Sequence, residues 1–146
     1  MTRLHLITSA LVAALGIAAA GCSSTAAPSS TTTTTIVSTQ AEAFTGSLDR
    51  QGSSFYSFNV TTAGNVGVTL ASLTTGTPGP AVGTVMGIGI GVPSGTDCAV
   101  TDSLNVAPAL TVQLTVSKAV GTYCVRVFDI GNLTGPVNFG VRIVHS

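Results

Sequence analysis

The chain has 146 residues, only 7% of them charged, and its five basic and five acidic side chains cancel to a formal net charge of zero. This composition provides no basic patch for nucleic acid or for an anionic lipid surface. Tryptophan is absent, and glycine, threonine, serine and valine dominate, which is typical of a small β-protein with uncharged polar surfaces. We therefore expect a β-rich domain with no nucleic-acid partner.

The first 22 residues have the parts of a secretory signal. Arg3 and the amino terminus are positive, residues 6–20 are almost wholly apolar, and small residues precede Cys22. Ala19-Ala20-Gly21-Cys22 resembles the lipobox of bacterial lipoprotein signals, with alanine where leucine is commonest. The resemblance implies a diacylglycerol thioether on Cys22 and cleavage before it. Residues 1–21 are thus predicted to be a lipoprotein signal peptide.

Two alternatives remain for this segment: an ordinary signal peptide cut near Gly21, or an uncleaved anchor helix. The apolar run is shorter than the ~20 residues that a membrane span needs. Acyl chains on Cys22, at about 0.8 kcal/mol per buried CH₂, would hold the protein stably on a membrane. We expect a lipid-anchored, extracytoplasmic protein of the bacterial cell envelope. Because Ser23 rather than aspartate follows the cysteine, the outer membrane is favoured if the host has two membranes.

Cysteine usage agrees with export. If Cys22 carries lipid, Cys98 and Cys124 remain as a pair, and an oxidising compartment makes a disulfide the default. Closing a loop of about 27 residues stabilises a fold by roughly 3.5 kcal/mol on chain-entropy grounds. Metal binding is the alternative, but neither cysteine has a Cys-x-x-Cys partner, and His145 is the only histidine after the signal. We predict no metal and no cofactor.

The rest of the chain divides into a tether and one domain. Residues 22–40 are rich in serine and threonine, have few apolar groups to offset the entropy of ordering, and are predicted to be a flexible spacer. Residues 41–146 have the length of a single domain.

Apolar and polar residues alternate through most of this domain, as in strands with one face on a core. The alternating segments are residues 56–60, 66–70, 85–92, 110–116, 123–127 and 139–143. Glycine-containing turns separate them, and no helical period is evident. The pattern predicts an all-β, antiparallel, jelly-roll-like β-sandwich of about seven or eight strands.

One predicted strand has glycine at every second position. Its apolar face comprises Met86, Ile88, Ile90 and Val92. Its other face comprises Gly87, Gly89 and Gly91. Such a strand either packs closely under the preceding loop at residues 75–80 or has a flat exposed face, or else it forms a smooth groove that accepts a ligand or partner strand. Arg126 is interpreted as a solvated residue or as a contact of that candidate binding face.

Several segments resemble the pre-peptidase C-terminal domains of bacteria. Residues 44–48, 52–60 and 64–70 are similar to their opening strands, and residues 121–127 to their closing Gly-x-Tyr-x-x-x-Val strand. The resemblance implies a jelly-roll-like sandwich of a kind often appended to secreted proteases, some members of which bind collagen or polysaccharide. The glycine-rich middle and Cys98 depart from the pattern, and no acidic cluster matches the calcium ligands of some relatives.

Candidate catalytic groups are few. His145 is penultimate and expected to fray, whereas a general base needs a fixed partner. Asp49, Asp97, Asp102 and Asp129 lie beside turn-forming residues, which indicates turn chemistry; a calcium site among the last three is the alternative. We therefore expect no enzyme activity.

Two functions remain open. The first is a tethered, non-catalytic binding or accessory module that contacts an envelope protein or a glycan. The second is a structural envelope lipoprotein that packs into a larger assembly. Aromatic residues on a concave face would favour a glycan, whereas an exposed apolar patch or a long unpaired edge would favour assembly.

Overall fold

A computed structural model of the chain describes residues 38–146. The predicted signal peptide at residues 1–21, the lipidation site Cys22 and most of the tether lie outside the described residues. Within residues 38–146, no helix is long and apolar enough to cross a membrane. The strands are β1 (Gln40–Leu48), β2 (Ser53–Val60), β3 (Gly64–Thr74), β4 (Met86–Ser94), β5 (Asp97–Val106), β6 (Leu114–Lys118), β7 (Gly121–Phe128) and β8 (Val137–His145).

The strands form two four-stranded antiparallel sheets. The first sheet has the order β1-β8-β3-β6, and the second has the order β2-β7-β4-β5. Their inward faces bury one shared core, to which β3 contributes Val68 and Leu70 and β4 contributes Ile88. The predicted all-β, antiparallel sandwich is therefore confirmed, because most period-two segments direct their apolar side chains to this core.

The expected strand at residues 110–116 is wrong in its first half. Leu110 is 92% exposed and Val112 is 46% exposed, and β6 begins only afterwards. The side chain of Gln113 makes hydrogen bonds that a paired strand would otherwise make here. Its Oε1 accepts a hydrogen bond from the Leu70 backbone N–H at 2.8 Å, and its Nε2 donates to the Ala107 carbonyl. An amide side chain thus satisfies the Leu70 backbone N–H of β3 at a position where the pattern predicts pairing with the backbone of another strand.

The expected inward position of Val92 is also wrong, since this residue is 46% exposed. The register of β4 against β5 shifts between Ile90 and Gly91, leaving Thr101 as the extra residue on β5. The Thr101 hydroxyl donates to the Ile90 carbonyl at 3.2 Å. The bulge interrupts the alternation of β5 and not that of β4; pairing of β4 with β7 ends at Gly91, so Val92 lies one residue past the part of β4 that has a neighbour on both sides.

Candidate functional site

The glycine face of β4 is covered. Gly87, Gly89 and Gly91 are all buried. A Cβ at Gly87 would overlap the ring of Phe128, a Cβ at Gly89 would lie 2.5 Å from Val100 Cγ1, and one at Gly91 would overlap the backbone of β5. The expectation of a bare binding face is therefore corrected. The strand is closely packed, but β7 and β5 cover its glycines and not the loop at residues 75–80 that the first alternative named.

A disulfide runs across the same strand. The Sγ atoms of Cys98 and Cys124 are 2.02 Å apart, and their Cα atoms are 5.9 Å apart, as predicted for the pair. The bond joins β5 to β7, which are not neighbours in the sheet because β4 lies between them. Both cysteines are buried. Gly91, the partner of Cys124 in the ladder, has a packing reason to lack a side chain, because a Cβ there would overlap the Ala99 backbone of β5.

Arg126 contacts the protein's own groups on this face. One of its terminal nitrogens donates to Ser53 Oγ at 2.9 Å, and the other lies 3.4 Å from Asp97 Oδ2. Its Nε is buried without a hydrogen-bond partner, although the side chain as a whole is 30% exposed. Arg126 and the glycines do share one face, as predicted. That face is filled by intramolecular contacts rather than left open.

His145 is held firmly, so the expected fraying is wrong. The residue is 1% exposed, its Nε2 lies 2.9 Å from Glu42 Oε1, and its ring packs on Phe58. Tyr56 donates to the other oxygen of Glu42 at 2.8 Å, and this hydrogen bond, with the carboxylate charge, raises the pKa of Tyr56. The cluster connects β1 and β8 of one sheet to β2 of the other. Pairing of β8 with β1 up to its last residue, which the sequence does not show, fixes the histidine.

Asp129 organises the turn that follows β7. Its Oδ1 accepts three backbone N–H groups, those of residues 131, 132 and 133, and its Oδ2 accepts the N–H of Gln51 at 2.8 Å. These hydrogen bonds, led by the one from Gln51, lower the pKa of Asp129 because they stabilise the charged form. Asp129 therefore stabilises a turn, as the sequence predicted.

Asp97 and Asp102, which were expected in turns, lie on strand β5 and have separate partners. Asp102 lies 3.1 Å from Lys118 Nζ, and hydrogen bonds from Thr101 and Lys118 lower the pKa of Asp102. Asp97 faces Arg126 instead. Among residues 38–146, no group of three or more His, Cys, Asp or Glu side chains could hold a metal ion. The alternative of a calcium site among the three loop aspartates thus has no geometric support.

A groove of about 520 Å³ lies on the outer face of the first sheet. Its floor consists of side chains from β1, β8 and β3, and the loop at residues 75–80 forms one wall. The polar lining groups include Thr45, Ser47, Ser72, Thr77 and Asn138. None of the residues that line the groove is ionisable. We call this feature the hydroxyl groove.

Hydrogen bonds within the loop and to β8 fix the wall of the hydroxyl groove. The backbone N–H of Thr75 donates to the Pro80 carbonyl at 3.2 Å, and Asn138 Nδ2 donates to Thr77 Oγ1 at 2.8 Å. The loop therefore packs over the first sheet. One alternative from the sequence had expected it to pack over β4. Sequence reasoning missed this site. Its one signal is the small hydroxyl residues at alternate positions, as at Thr45 and Ser47.

No known family model matches the chain, and no curated protein matches it in sequence. The resemblance of residues 44–70 and 121–127 to pre-peptidase C-terminal domains therefore rests on those motifs alone. The fold and the groove define a class in structural terms: a disulfide-crossed antiparallel β-sandwich with an uncharged polar groove on one outer face.

Proposed function

We propose that the chain is a bacterial lipoprotein, anchored through Cys22 on the extracytoplasmic side of the cell envelope, that presents its sandwich as a non-catalytic binding or accessory module. The hydroxyl groove is the observation that carries this proposal, because a pre-formed concave site of this size falls within the range of ligand pockets. The partner is an envelope protein or a glycan. In a host with two membranes, Ser23 favours the outer membrane.

The position of the groove suits a tethered module. The domain begins at Gln40, which pairs with His145 at one end of the first sheet. Ser47 and Asn138, which line the groove, pair with each other near the other end of β1 and β8. At about 3.3 Å per residue, the groove lies roughly 20 Å along β1 from the tether attachment. Most of the length of β1 therefore separates the groove from Gln40.

The disulfide supports export. A buried bond between Cys98 and Cys124 is typical of proteins that mature in an oxidising compartment. Such a compartment is the one that a lipoprotein signal on residues 1–21 would reach. The resemblance to pre-peptidase C-terminal domains agrees with an exported module.

A structural role in a larger assembly is the second candidate. Large apolar side chains are exposed on β5 and on the segment after it, namely Leu104, Leu110 and Val112, and β5 is an edge strand. Exposed apolar groups beside an open edge favour strand addition or packing against a partner. Chemical cross-linking in native membranes separates the two functions: assembly gives products joined through β5, whereas a binding module gives products joined around the groove.

Anchoring is tested by replacing the lipid-bearing residue. Cys22→Ser should move the protein from the membrane fraction to the soluble fraction, or block processing, and should remove the mass of the lipid from the amino-terminal peptide. Ser23→Ala is the matched control and should remain lipidated. If the Cys22→Ser protein stays with membranes and is cleaved at the wild-type position, the proposed anchor is wrong.

A further inference from the structure

We infer that residues 92–100 form a redox-controlled flap, which the Cys98–Cys124 bond holds against the outer face of the second sheet. The flap comprises the end of β4, a tight turn and the start of β5. Its two arms stay paired up to Ser94 and Asp97, so they move together as one hairpin. The inference goes beyond the proposed binding function, and it depends neither on the lipid anchor nor on the hydroxyl groove.

The flap folds over the second sheet instead of extending it. Pairing of β4 with β7 ends at Gly91, and Thr101 is the extra residue where the register of β4 and β5 shifts. A bulge bends its strand, and here β5 turns back over β4, because a Cβ on Gly91 would overlap the Ala99 carbonyl. The Cα atoms of Cys98 and Cys124 are 5.9 Å apart, whereas strands two places apart in a flat sheet are separated by about 9–10 Å.

The flap has few buried contacts of its own. Among residues 92–100, all of which the structure describes, only Cys98 is buried. Val100 is half-buried and lies against the position where Gly89 would carry a Cβ. A segment with little buried apolar surface opens locally at a low cost in free energy. The closed position of the flap therefore depends on the covalent bond from Cys98 to Cys124.

Two ion pairs define how far the flap can move. Asp97 Oδ2 lies 3.4 Å from Arg126 Nη1, and screening makes such a solvent-exposed pair weak. On the other side of Thr101, Asp102 Oδ2 lies 3.1 Å from Lys118 Nζ, which holds β5 to β6. The flap can therefore swing about the bulge while the rest of β5 stays in place.

Reduction by a dithiol opens the flap. One thiolate of the reductant attacks a sulfur of the protein disulfide to give a mixed disulfide, and its second thiol completes the exchange. The reductant leaves as a cyclic disulfide, and two electrons and two protons convert the protein bond into the thiols of Cys98 and Cys124. Exposed residues flank Cys98 on both sides, namely Asp97 and Ala99, so local fraying brings its sulfur to solvent. Opening then separates Asp97 from Arg126.

The test measures the accessibility of Arg126 in the full-length protein, with and without a dithiol reductant. Arg126 Nε is buried in the oxidised fold, whereas Arg142 is exposed on β8. Phenylglyoxal modifies accessible arginine side chains, and peptide mass spectrometry gives the modification rate at each one. We expect reduction to raise the rate at Arg126 several-fold and to leave the rate at Arg142 unchanged. Amide hydrogen exchange should accelerate in residues 92–100 but not in β8.

Two variants separate opening of the flap from a general loss of stability. Cys98→Ala, Cys124→Ala should be modified at Arg126 like reduced wild-type protein and should not respond to the reductant. Val141→Ala is the destabilised control, because it removes buried volume from the first sheet and keeps the disulfide. Its melting temperature should fall while Arg126 stays protected under oxidising conditions.

Reduced wild-type protein, prepared from the folded oxidised form, gives the same information if the double variant fails to fold. Three results would overturn the inference. The first is an Arg126 modification rate that reduction does not change. The second is equal acceleration of exchange in residues 92–100 and in β8. The third is the appearance of protein thiols only when the whole domain unfolds.

Discussion

The two outer faces of the sandwich differ, and the difference is the opposite of the one that the sequence pattern suggests. The glycine-bearing strand β4 looks like the bare surface, yet it is covered by Phe128, Val100 and the Ala99 backbone. The first sheet carries ordinary serine and threonine residues and has the open groove. Side-chain size within one strand therefore does not predict an open surface. What neighbouring strands and loops place over that strand decides it.

The difference has a geometric cause. β4 lies inside the second sheet, between β7 and β5, so side chains from both sides can occupy the space that its glycines leave. Interiors exclude such voids because unfilled space loses dispersion contacts. On the first sheet, small hydroxyl residues on adjacent strands leave space above the floor of the hydroxyl groove. The loop at residues 75–80, held by hydrogen bonds, forms the wall beside that space.

The largest expected effect comes from removing the disulfide of the second face. The double variant Cys98→Ala, Cys124→Ala should lower the free energy of unfolding by about 2–5 kcal/mol, because the unfolded chain regains the entropy of the opened loop. Urea denaturation of the exported protein measures it. Wild-type protein reduced under the same conditions should lose a comparable amount. A change below about 1 kcal/mol would mean that the bond contributes little to holding this face closed.

A side chain added to the covered strand should have the next largest effect. Gly91→Ala would place a Cβ against the Ala99 carbonyl, which is backbone and cannot swing away. Overpacking of this kind costs about 1–3 kcal/mol. Gly135→Ala is the matched control because nothing lies within 4 Å of its added Cβ. Equal urea midpoints for the two variants would show that the second face is open after all.

Arg126→Ala should have the smallest effect. Its ion pair with Asp97 spans 3.4 Å and the side chain is 30% exposed, so screening limits the contribution to about 0–1 kcal/mol. A double-mutant cycle with Asp97→Asn, read by urea denaturation, isolates the pair. Partner binding at the hydroxyl groove should not change. A loss of that binding in folded Arg126→Ala would move the binding site to the second face and contradict the contrast between the faces.

Sequence reasoning predicted the local features of this domain well. The all-β class, the strand count and the bonded cysteine pair follow from period-two alternation, turn residues and cysteine number. It was wrong where a single tertiary contact replaced a local rule. The amide of Gln113 bonded Leu70 where strand pairing was expected at residues 110–112, pairing of β4 with β7 ended at Gly91 and left Val92 beyond it, and β1 pairing buried His145.

By itself, then, the sequence determined the all-β class and the apolar side of most strands, because both depend on periodicity along the chain. Only the tertiary structure decided which outer face is open. That outcome depends on contacts between residues far apart in sequence: Phe128 over Gly87, Cys124 bonded to Cys98, and the loop at residues 75–80 held to Asn138. No local pattern encodes such contacts, since each arises only once the strand order has brought its two partners together.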